Sequence, residues 1–129
     1  MLNTTQKITA SLVLLILDFL WIYLFMGARY KILVGNIQGT EMKLNVFYGI
    51  VAYTLMLIGL HKFVLPLIKT GSIQECLSTA FVFGIILYGV YDFTAGSIFK
   101  KWDINLALID ILWGGFVYFM ACYSTNLIN

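Results

Sequence analysis

Four apolar runs, at 8–26, 44–60, 74–99 and 104–123, decide what this sequence can fold into. A helix needs about 20 residues to cross the hydrocarbon core of a bilayer, and each run meets or approaches that length. The runs are continuous, which suits helices; a transmembrane barrel would alternate apolar and polar residues. Backbone amides in lipid have to be bonded within their own segment. The expected fold is therefore all-α: an integral membrane four-helix bundle built from two helical hairpins. The runs and their short breaks use the whole of 1–129 as a single transmembrane domain, with no room for a separate soluble one.

The charged content supports this. Only 11% of residues are charged and 61% are hydrophobic, whereas a soluble domain carries about 25% charged residues. A net charge of +2 with no basic patch or motif argues against nucleic acid as a partner. The first run is too long for the core of a secretory signal, contains Asp18 and is followed by no Ala-x-Ala site, so it reads as a retained anchor. Basic residues set the orientation. Arg29, Lys31, Lys43, Lys100 and Lys101 flank one side, and Lys7, Lys62 and Lys69 the other. This bias puts the loops between runs one and two and between runs three and four in the cytoplasm, with both termini outside.

Three aspartates interrupt the apolar runs, and a carboxyl there is costly enough to mark a functional site by default. Asp92 and Asp110 lie nine residues on either side of position 101, inside the polar break Lys100-Lys-Trp-Asp103. On antiparallel helices both then sit at one depth, ~13 Å from the turn. Asp18-Phe-Leu-Trp21 repeats the pattern of Asp110-Ile-Leu-Trp113, and Asp18 falls ~12 Å from the same face. Tyr48, Tyr53 and Thr54 enter from that face too. The candidate transport or ligand-binding set is Asp18, Asp92, Asp110, Tyr53, Tyr88, Tyr91, Thr94, Trp21 and Trp113. A lone aspartate can serve only to staple two helices; three at one depth favour a site. Asp92 and Asp110 are expected to form one coupled pair that holds a proton or a cation, with Tyr88 or Tyr53 as a hydrogen-bond partner. Arg29, three turns beyond Asp18, is placed to sit above it, and Trp102 reads as an interfacial anchor.

Tyr91-Asp-Phe-Thr94 and Asp110-Ile-Leu-Trp-Gly114, with the Asp-x-x-Trp of run one and Trp102, resemble a family of small four-span membrane proteins, domain of unknown function 2177. The resemblance covers nearly the whole chain. The family pattern often has Asn after the threonine, where this chain has Ala95. The resemblance implies the four-span fold and brings no activity with it.

Other chemistry is sparse. His61 stands alone at a run's end, and no HExxH, CxxC, GxSxG or phosphate-loop pattern occurs. Cys76 and Cys122 both fall near the outer face, as two small buried thiols in preference to a disulfide. No cofactor is expected. Oxygen ligands suit protons or hard cations, so the leading expectation is a channel or carrier for protons or a small cation, in the lipid bilayer and as a homo-oligomer. The alternative is a module that binds a lipid, a pigment or a partner helix without transport. An intramembrane enzyme ranks third, because no nucleophile accompanies the carboxyls.

Overall fold

The computed structural model describes residues 2–69 and 72–128, and those residues are helical nearly throughout, with no strand among them. Four helices are long and apolar enough to cross a membrane: α1 (Thr4–Gln38), α2 (Val46–Ile68), α3 (Ile73–Ile98) and α4 (Ile104–Leu127). Each start is capped by a short polar side chain that accepts from the free N–H groups of the first turn. Asn3 and Gln6 form a reciprocal capping box on α1. Asn45, Ser72 and Asp103 cap α2, α3 and α4.

The first helix runs past its expected end at Met26, because the stretch from Ala28 to Val34 holds no glycine or proline to break it. It stops at Gly39, whose φ of 73° is left-handed and suits glycine. The 35 residues of α1 would span ~52 Å, so its end, with Arg29 and Lys31, projects beyond an apolar layer of about 30 Å. A π-helical turn, Ile22–Met26, interrupts it midway. The second helix likewise passes its expected end at Leu60. It continues through a π turn, Leu60–Val64, and a 3-10 turn, Leu65–Lys69, that contains Pro66. Proline has no N–H to give the helix ladder, and the irregular turns absorb that loss. His61 and Lys62 are thus inside the helix. The polar break expected at Lys69-Thr-Gly71 falls partly on residues 70 and 71, outside those described.

The tightest packing joins α3 to α4. Gly84 and Gly114 bring the two backbones into direct contact: a Cβ on Gly84 would overlap the Gly114 carbonyl, and the Tyr88 ring lies where a Cβ on Gly114 would go. Small residues permit such approach in membranes. This contact sets the register. With Tyr88 across from Gly114, one turn further toward the hairpin loop puts Asp92 across from Asp110. Helix α1 packs along α4, while α2 meets the others mainly through its C-terminal end against α3. The apolar core occupies the half of the bundle nearer the termini, around Leu14, Leu60, Ala80, Val117 and Tyr118. Cys76 and Cys122 lie buried there as free thiols, with Cys76 Sγ 3.7 Å from the Val64 carbonyl.

Candidate functional site

The three aspartates are all buried, at 5% (Asp18), 1% (Asp92) and 6% (Asp110) exposure. What surrounds them differs. Asp18 on α1 gathers donors from every other helix. Tyr53 Oη of α2 donates to its Oδ2 at 2.8 Å. Tyr88 Oη of α3 and Trp113 Nε1 of α4 donate to its Oδ1 at 2.5 and 3.3 Å. Three donors on two oxygens satisfy this carboxyl and tie four helices to one point.

Asp110 on α4 accepts one bond, from Trp21 Nε1 to Oδ1 at 3.1 Å. The indoles of Trp21 and Trp113 stack between the two carboxyls, with centroids 4.6 Å apart and planes within 6°. Each tryptophan thus serves the aspartate of the opposite Asp-x-x-Trp motif: Trp113 serves Asp18, and Trp21 serves Asp110. The repeated motif is a reciprocal clasp between α1 and α4.

Asp92 on α3 is the exception. It faces the Asp110 carboxyl across the hairpin, yet among the described residues no N–H or hydroxyl donates to either of its oxygens. The Tyr30 hydroxyl, beside Asp110 and Asp92, and Trp102 Nε1 are also buried without partners among the described residues. Buried polar atoms are nearly always bonded, so several orphans in one place mark a site built for something else. A cleft of about 380 Å³ opens there, lined by Asp92, Phe93, Gly96, Ser97, Trp102 and Ile104. Tyr30, Tyr91 and Phe99 surround Trp102, each with its ring centroid 6.1 Å away.

The profile of a family described as a predicted membrane protein (DUF2177) matches residues 4–127. The chain belongs to this family. No curated protein and no solved structure matches it. In this family member the residues that carry the resemblance come together: Asp18 with Trp113, Trp21 with Asp110, and Asp92 with Trp102 across the cleft.

Of the other candidates, Tyr53 and Tyr88 turn to Asp18 rather than to the Asp92–Asp110 pair. Tyr91 is exposed and packs edge-on against Trp102. Thr94 is exposed on α3 and outside the cluster, as are Tyr48 and Thr54 on α2. Arg29 does not reach Asp18: its guanidinium lies 3.7 Å over the Phe25 ring and donates to the Phe25 carbonyl. Two residues of the cluster lie outside the sequence-derived set. Sequence places Tyr30 in a loop and makes Trp102 an interfacial anchor. The lack of a helix breaker between Ala28 and Val34 is the signal that α1 carries Tyr30 onward. A second hollow, about 420 Å³ between Gln74 and Phe119, has no titratable group in its lining. No group of three or more His, Cys, Asp or Glu able to hold a metal occurs among the described residues.

Proposed function

We propose that this protein binds a proton or a small monovalent cation between Asp92 and Asp110 and carries it across the membrane. The observation that carries this reading is the Asp92 carboxyl, 1% exposed and with both oxygens unpartnered. Two facing carboxylates in a medium of low dielectric need a proton or a cation between them. Polar groups continue toward the other face of the bundle. Beyond the Asp18 group, Tyr118 Oη donates to the Met56 carbonyl at 2.8 Å, and Ser11 Oγ meets His61 Nε2 at 2.6 Å. Such a succession gives a proton or cation places to bind and to leave. Because the cleft opens sideways from a single bundle, a second copy of the chain would enclose the path.

In proteoliposomes with an imposed pH or potassium gradient, the wild-type chain should carry flux. Asp92→Asn and Asp110→Asn should each reduce it at least tenfold. Flux that is equal in both variants and the wild type sinks the reading, as does its absence from the wild type.

The basic bias supports an orientation with the cleft end of the bundle in the cytoplasm and both termini outside. Cysteines introduced at Thr5 and Thr40, both exposed, test this. The native thiols are buried and give little background. A membrane-impermeant maleimide added outside should label Thr5→Cys and not Thr40→Cys. The reverse pattern overturns the orientation.

A further inference from the structure

We infer that the Asp92 cleft receives a primary ammonium group that carries an oxygen acceptor about two carbons away, as ethanolamine does. This inference rests on the proposed cation site and names the chemistry of its occupant.

The unmet hydrogen-bonding capacity has two parts. The acceptors are both oxygens of Asp92, which lines the cleft. Both can accept from the N–H donors of a primary ammonium. The donor is Trp102 Nε1, buried and unpartnered among the described residues. A bare proton or alkali ion leaves that donor orphaned, and leaving a buried polar group unsatisfied costs about 1–3 kcal/mol. An occupant with an ammonium at one end and an oxygen at the other satisfies both sets.

Size and surroundings agree. The cleft holds about 380 Å³, whereas a water takes about 30 Å³ of liquid. That space admits a small organic group. Trp102 forms one wall, and an indole face attracts ammonium ions. Gly96 forms another, with the position of its missing Cβ 3.5 Å from Trp102 Cδ1, beside the orphaned Nε1. Phe93 and Ile104 on the rim are exposed apolar residues, so the mouth borders the lipid near the hairpin loop. A quaternary ammonium has no N–H to give Asp92 and is disfavoured. An ethanolamine unit reaches such a mouth either as the headgroup of a phospholipid or as the free amine.

Two measurements on the full chain test this and tell the sources apart. The first is native mass spectrometry after extraction from vesicles of equal phosphatidylethanolamine, phosphatidylcholine and phosphatidylglycerol. The second is calorimetric titration of the protein, in phosphatidylglycerol nanodiscs, with ethanolamine and with ethylamine. Retention of the ethanolamine lipid at least tenfold over the others identifies the lipid. Ethanolamine binding without that retention identifies the free amine. Whichever source binds should weaken at least tenfold in Asp92→Asn and in Gly96→Leu, which fills the cleft from an exposed position. For the free amine, Trp102→Phe should weaken ethanolamine several-fold and leave ethylamine, which has no oxygen, unchanged. Retention that is equal for all three lipids, with no ethanolamine binding, overturns the inference. So does binding that survives both Asp92→Asn and Gly96→Leu. Asp92-dependent proton or potassium flux with no amine binding leaves the proposed carrier standing and removes only this occupant.

Discussion

Gly84→Val will prevent the α3–α4 hairpin from closing in its native register. Even the first carbon of the new side chain overlaps the Gly114 carbonyl, which is backbone and cannot rotate away. The two helices would have to separate along their tightest contact. Overpacking a well-packed interior costs typically about 1–3 kcal/mol and occasionally more; a backbone clash belongs at or beyond the upper end. Gly89 is the control. Nothing lies within 4 Å of its Cβ position, so Gly89→Ala should be neutral or gain up to about 1 kcal/mol of helix propensity. Titration of the purified protein with a denaturing detergent, followed by circular dichroism and tryptophan fluorescence, gives both values. Equal midpoints for Gly84→Val and wild type would mean that α3 and α4 do not meet at these glycines.

The second large effect separates two aspartates that look alike in sequence. Asp18→Ala removes the acceptor of Tyr53, Tyr88 and Trp113 together. Hydrogen bonds between membrane helices are worth about 0.6 kcal/mol on average, and an orphaned buried donor costs about 1–3 kcal/mol. The expected loss is about 2–4 kcal/mol. Asp18→Asn should lose less, because its carbonyl still serves Tyr88 and Trp113 while the Tyr53 hydroxyl turns to accept from the amide. At Asp92 no bond is lost, since none is made. Asp92→Asn should keep the wild-type unfolding midpoint within about 0.5 kcal/mol, the range of substitutions that break no interaction. The same detergent titration measures all three. If Asp92→Asn destabilises as much as Asp18→Ala, then Asp92 is a staple and the cleft is not built for a ligand.

The division between staple and site is only half legible in the sequence. Chain length, hydropathy and the position of a turn carry depth, so Asp92 and Asp110 can be paired by counting outward from residue 101. Rotation about the helix axis leaves a weaker trace. In a helix that is apolar all round, no polar face shows which side turns inward. Sequence therefore puts Tyr53 and Tyr88 at the right level and gives them the wrong partner: both bond Asp18. It misplaces the ends of the first two helices for a related reason. Polar residues such as Arg29 and His61 end a hydrophobic run without ending a helix. Only Gly39, with its left-handed backbone, and the turns around Pro66 mark where the backbone changes course.

The π turn at Ile22–Met26 gives α1 two rotational phases. An α-helix advances about 100° per residue, and a π turn takes up one extra residue in a single turn. Every side chain beyond Met26 is therefore offset by about that angle from a regular continuation. Before the turn, Asp18 and Trp21 face α4 and close the clasp. After it, Tyr30 comes round to the Asp92–Asp110 pair. The clasp and the cleft thus read the same helix in different frames. A one-residue deletion within 22–26 would leave the clasp in place and swing Tyr30 away, so the two ends of the protein can change independently.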